Sequence, residues 1–189
     1  MLKRHIYLYQ EDISDELPLV FEAINDNIRV DSVTADVMTI VDTDYYNEEP
    51  FDIEELHMLL LEDFNRDITI VVEPYLDCPF PLGDSLRAFV PAMPPGVHYF
   101  EDVIAHAVLK HNETLKQEIK TFIASRVKPD VIHTAREFIA NNMNSSISAK
   151  KLFMHRNTLN YRIDNFIEQT TINIKTFRGA NAIYMLYNF

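Results

Sequence analysis

The stretch HRNTLNYRIDNF, residues 155–166, gathers side chains that can read the edges of nucleic-acid bases. Arg156 carries a planar fork of donors that matches a guanine edge or a phosphate. Asn157 and Asn160 each place a donor beside an acceptor, as an adenine edge requires, and Thr158 and Tyr161 offer hydroxyls to phosphate. Arg162 adds a second guanidinium, and His155, in the turn before, either positions that turn or binds phosphate. Upstream, Lys150 and Lys151 can neutralise backbone phosphates and set register. On a helix of about 100° per residue, Leu159, Ile163, Phe166, Ile167 and Thr170 fall on one side. Asn157, Thr158, Tyr161, Asp164, Asn165 and Glu168 fall on the other, and Asn160 and Arg162 flank the seam. The first two turns of the outer face hold only neutral or cationic groups, which suits an N-terminal end that enters a major groove. A polar face of this kind also suits a helix that simply meets water. The residues alone leave both readings open.

Other clusters offer weaker chemistry. DTDYYNEEPFDIEE (42–55) holds seven carboxylates, and Asp42 and Asp44 end a strand where metal-binding acids can sit. No histidine, lysine or phosphate loop accompanies them, and a solvated loop leading into an acid-rich helix start explains them as well. His106 and His111 are five residues apart, off the spacing that puts two ligands on one helix face. Cys78 lies between Asp77 and Pro79 with no neighbour to activate its thiol. The three glycines form neither a dinucleotide nor a P-loop signature. No enzyme and no cofactor is expected.

Charge divides the chain. From Pro129 onward, seven Lys and Arg stand against four Asp and Glu, a balance of +3. The first 128 residues carry ten against 25, a balance of -15, so the total is -12. The acidic part would repel nucleic acid, and any such contact belongs to the C-terminal part. No apolar run approaches the roughly 18–20 residues that span a bilayer, and no signal peptide is evident. With one cysteine, these features lead us to expect a cytoplasmic protein without a membrane partner.

The elements that must position the site follow from periodicity. Strands are expected at 5–10, 36–44 and 67–76, and helices at 17–26 and 52–64, the latter with a buried stripe of Ile53, Leu56, Leu59, Leu60 and Phe64. Strand, helix, strand over 36–76 reads as a βαβ unit. Residues 78–96 hold five of the nine prolines and read as loop with a short helix at DSLRAFV. Residues 97–127 read as one or two helices carrying Ile104, Val108, Leu115, Ile119 and Phe122. Beyond KPD (128–130) come helices at 130–144, 146–153, 156–169 and 176–189. Asn141, Asn142 and Asn144 are assigned to the end of the first, and Ser146 or Ser148 to the cap of the second. The fold class is α+β: a small acidic α/β domain containing βαβ, at 1–127, precedes an all-α helix-turn-helix domain at 128–189.

AKKLFMHRNTLNYRIDNFIEQTTINIKTF resembles the C-terminal helix-turn-helix of the bacterial purine-catabolism-regulator (PucR) and sugar-diacid-regulator (CdaR) class. The matching residues are Ala149, Leu152, His155, Arg156, Asn157, Thr158, Leu159, Tyr161, Arg162 and Ile163, within roughly 130–189. The chain departs from the pattern at Ile147, which is displaced from the usual apolar position, and at Thr170–Thr171, where the family often has glycine. The resemblance implies sequence-specific binding to double-stranded DNA and regulation of transcription. In such regulators a sensory or degenerate nucleotide-cyclase-like domain often precedes the helix-turn-helix, although no GGDEF-type signature occurs here. A homodimer on a two-part site is expected, with a small-molecule effector or protein partner on the acidic part. The competing expectation is an interaction adaptor that keeps the helix-turn-helix as scaffold.

Overall fold

The computed structural model describes residues 3–24, 26–43, 52–64 and 67–189, without the side chains of residues 63 and 64. Two compact units, Met1–Val103 and Ile104–Phe189, divide the chain. The division falls inside helix α4 (Phe100–Leu109).

The first unit is a five-stranded sheet. Its strands are β1 (Arg4–Tyr9), β2 (Ile28–Val33), β3 (Val37–Asp42), β4 (Thr69–Val72) and β5 (Gly96–His98), in the order β2-β3-β1-β4-β5. β1 is central and antiparallel to both neighbours: Ile6 pairs with Ile40 of β3 and with Val72 of β4. β3 and β4 therefore run parallel to each other with β1 between them. The expected βαβ unit is thus a split one, because helix α2 (Ile53–Phe64) crosses over an inserted strand. β4 and β5 are true parallel neighbours, linked through helix α3 (Gly83–Phe89). β2 and β5 were not expected from sequence; β2 is a half-exposed edge strand with a register shift at Val30/Ser32, and β5 has three residues.

Period-two alternation sorts the strands' side chains by face. Ile6, Leu8, Met38, Ile40, Ile70 and Val72 pack with Leu17 and Phe21 of helix α1 (Leu17–Glu22) and with Ile53, Leu56 and Leu60 of α2. Leu59, expected in that stripe, is 53% exposed, since it lies one residue and about 100° from Leu60. The side chain of Phe64 lies outside the described residues. On the other face the buried carboxylate of Glu73 accepts from the backbone N–H of His5 at 2.8 Å and from the Tyr7 hydroxyl. Burial, reinforced by Glu73, pushes the Tyr7 hydroxyl far above the ordinary tyrosine range. Asp42 is buried and accepts from Arg4 Nε at 2.6 Å and from the Tyr75 hydroxyl at 3.0 Å. Of the other carboxylates in 42–55, Asp44, Glu48 and Glu49 lie outside the described residues, while Asp52 accepts from the backbone N–H groups of Glu54 at 2.9 Å and Glu55 at 3.1 Å at the start of α2.

The second unit is helical. After α4 come α5 (Glu113–Arg126), α6 (Pro129–Ala140), α7 (Ser145–Lys151), α8 (Arg156–Thr170) and α9 (Phe177–Asn188). α8 packs against α5, α6 and α7, and α6 also packs against α9. Four of these helices end on a non-glycine residue in the left-handed region: His111 (φ 54°), Asn142 (55°), Phe153 (51°) and Thr171 (65°). After α4, α6 and α7 the hydrogen bonds form the paired Schellman pattern, for example Asn142 N–H to Ile139 O at 3.0 Å and Met143 N–H to Phe138 O at 2.9 Å. α8 ends more simply, with Thr171 N–H bonded to Ile167 O at 2.7 Å. Thr171 belongs to the Thr170–Thr171 pair at which the chain departs from the related motif, and a β-branched side chain is costly in this backbone region. Gly179 meets the opposite constraint. A Cβ at this position of α9 would lie 2.2 Å from Asn173 O and 2.6 Å from its carbonyl carbon.

Two substitutions test this account by chemical denaturation. Thr171→Gly should stabilise the second unit by about 1 kcal/mol, as left-handed strain is relieved against added chain entropy. Gly179→Ala should destabilise it by about 1–3 kcal/mol, because backbone must move to admit the methyl. Equal and negligible effects at both positions would contradict the backbone geometry described.

Candidate nucleic-acid interface

Helix α7 is held at both ends. Its first turn is capped by Asn144, whose side-chain oxygen accepts from Ser146 N–H at 3.0 Å and Ile147 N–H at 3.1 Å. This corrects the expectation of a serine cap and of Asn144 as the end of α6. Asparagine at the non-helical junction reaches both amides, whereas Ser148 is buried inside the helix and donates to Asn144 O at 2.8 Å. Ala149 is buried on the side that meets α8, and Ile147 points outward, 55% exposed.

Helix α8 starts at His155, whose Nδ1 accepts from Asn157 N–H at 3.2 Å. That acceptor role leaves the ring proton on Nε2. Leu159, Ile163, Phe166 and Thr170 are buried and Ile167 is half-buried, which sets the rotation of the helix. The rotation turns Arg156, Asn157, Thr158 and Tyr161 outward; Tyr161 is 71% exposed. Asn160 is half-buried.

Arg162 faces α6. Its Nη2 lies 2.8 Å from Asp130 Oδ2, and its Nη1 donates to Thr134 Oγ1 at 3.2 Å. Lys151 is likewise engaged, with Nζ 2.8 Å from Glu137 Oε2. Asp164, on the outer face, is met by Lys175 at 2.5 Å. Lys150 and Arg156 are exposed and belong to no ion pair among the described residues. The expected set thus divides. Lys150, Arg156, Asn157, Thr158 and Tyr161 present polar atoms to solvent, while His155, Lys151 and Arg162 are held by contacts within the unit. Phe153, placed from sequence at the end of the helix 146–153 and not singled out there, lies in the turn between α7 and α8 and is 98% exposed.

Lys151 beside Glu137 holds that carboxyl below the usual carboxylate range. A lowered folded-state value means the pair contributes above the unfolded value of about 4.3 and is lost as pH falls through the lower one. Glu137→Gln should therefore flatten the acid limb of the stability profile, measured by denaturant midpoint below about pH 5. An acid limb as steep as in the wild type would show that the pair adds nothing.

Comparison with known proteins agrees with this geometry. Residues 131–188 match the PucR C-terminal helix-turn-helix domain, so this part of the chain is a domain of that family. The protein YxkF of Bacillus subtilis (strain 168) is 39% identical over 80 residues, covering 39% of this chain and 27% of YxkF. The proline-responsive transcriptional activator PutR of the same organism is 31% identical over 84 residues, covering 42% of this chain and 20% of PutR. The aligned stretches thus span about a quarter and a fifth of these relatives. The crystal structure of a regulator of polyketide synthase expression from Bifidobacterium adolescentis superposes with a TM-score of 0.51. That alignment covers 98% of this chain and 78% of the other; at 13% identity it speaks to the fold alone. No helix among the described residues is long and apolar enough to cross a membrane.

Proposed function

We propose that the chain is a transcription regulator that binds double-stranded DNA in a sequence-specific manner through α7 and α8. The observation that carries this reading is the outward turn of α8. Arg156, Asn157, Thr158 and Tyr161 face solvent with no acid in the first turn, and Arg156 and Lys150 have no ion-pair partner among the described residues. The family match at 131–188 and the name of the relative PutR support the same role. In this reading Arg156, Asn157 and Asn160 read base edges, and Thr158, Tyr161 and Lys150 hold phosphate. His155, Lys151 and Arg162 position the elements, with their contacts to DNA secondary to their bonds within the unit.

One helix-turn-helix reads few base pairs, so the working form is a homodimer on a two-part site. The acidic residues 1–127 serve as the regulatory or dimerising domain and hold an effector or a protein partner. No enzymatic step is assigned. The overall charge of -12 favours a second reading, a protein-interaction adaptor that keeps the helices as scaffold.

The test is fluorescence anisotropy with duplexes selected from a random pool, at several salt concentrations. Arg156→Ala or Asn157→Ala should cost about 1–3 kcal/mol and relax specificity at one position. Lys150→Ala should weaken binding to all duplexes alike and lower the salt slope by about one. If no duplex is selected, and wild type and variants bind alike, the adaptor reading takes its place.

A further inference from the structure

The turn after α7 has a geometry that favours glycine and is occupied by phenylalanine. Phe153 N–H donates to Lys150 O at 3.2 Å, and Met154 N–H donates to Ala149 O at 3.0 Å. Between these bonds Phe153 holds φ at 51°. A left-handed backbone is costly for a bulky L residue. The ring recovers nothing from the fold, since it is 98% exposed. Among the other residues in this region at helix ends, Met143 (φ 58°) is half-buried. Asn142 and His111 are types that enter this region more readily. The Thr171 hydroxyl donates to Thr170 O at 2.5 Å. Among these helix-end residues, Phe153 combines a strained backbone with a large ring in water. Paired costs of this kind persist where function requires them.

Position indicates the function. Phe153 lies between Lys150, exposed and outside any ion pair among the described residues, and Arg156, which opens α8. We propose that Phe153 is a DNA-contact residue, its ring leaving water against a thymine methyl at the margin of the site that α8 reads. The inference rests on the DNA-binding reading above. A phenyl ring cannot distinguish donors from acceptors, and the apolar feature of the major groove is the thymine C5-methyl. The contact therefore adds a preference for thymine at a flanking position. It releases no counterion, so it leaves the salt dependence unchanged.

The experiment uses the full chain and a duplex selected from a random pool, with Phe153→Gly and Arg156→Ala variants. Phe153→Gly should unfold at higher denaturant than wild type, yet bind the selected duplex about tenfold more weakly at the same salt slope. Replacing single thymines by deoxyuridine should weaken wild type about fourfold at one position and leave Phe153→Gly unaffected. If Phe153→Gly binds like wild type while Arg156→Ala fails, the inference is overturned and the DNA-binding reading stands. If Phe153→Gly unfolds at lower denaturant, the ring is structural and the inference is likewise overturned. If no duplex is selected at all, the DNA-binding reading fails and this inference goes with it.

Discussion

The burial of one stripe of α8 is the constraint on which the second unit depends. Leu159, Ile163 and Phe166 are removed from water almost completely, and each such side chain contributes on the order of 1.5–3 kcal/mol. That burial leaves little freedom in how the helix is rotated. Turning it by one residue would put Asn160 or Asp164 against α6 and expose the apolar stripe. The outward display of Arg156, Asn157, Thr158 and Tyr161 is thus a consequence of core packing. The bonds from Arg162 to Asp130 and Thr134 then fix the same rotation by hydrogen bonding. Rigid support beneath a polar face is what a recognition surface needs, because side chains on a secure helix lose less freedom when they bind.

Net charge is a poor guide to this surface. Coulomb interactions between exposed charges fade over about 8–10 Å at physiological salt, so the acids of a whole chain do not act equally on one helix end. Within the second unit, acids near the candidate interface are matched one to one: Glu137 by Lys151, Asp130 by Arg162, Asp164 by Lys175. Among the described residues, the pairing leaves Lys150 and Arg156 outside any ion pair near the start of α8. The same matching explains why a weakly basic balance of +3 in the C-terminal part is compatible with an anionic partner.

Much of this was legible in the sequence, for reasons that differ by element. The buried stripe of α8 repeats at helical spacing, and the acids at the start of α2 mark its N-terminus; both signals are local. The sheet was harder. β3, α2 and β4 were visible one by one, but the insertion of β1 between the two strands depends on pairings such as Ile6 with Val72, which no local pattern encodes. β2 was missed because an edge strand alternates weakly, and β5 because three residues carry no period. At the site, residue types and facing could be read, but engagement could not. Arg162 looked like Arg156 until Asp130 and Thr134, two helices earlier in the chain, were seen beside it. The cap on α7 turned on backbone geometry, which let Asn144 serve where Ser146 had seemed suitable.

The central place of β1 has a consequence for how the protein is made. During synthesis β1 leaves the ribosome before β3, and well before β4, so both of its hydrogen-bonding edges wait for partners not yet translated. Ile6 and Leu8, fully buried at the end, are carried in the open through that interval. Sheets closed by such distant pairings form slowly and are vulnerable to aggregation meanwhile. The helices of the second unit each form through local hydrogen bonds as they emerge, although α8 must still find α5 and α6. The edges of β1 thus stay open to wrong partners until β4 has been made, a hazard that the helices of the second unit, whose backbone bonds are internal, do not share.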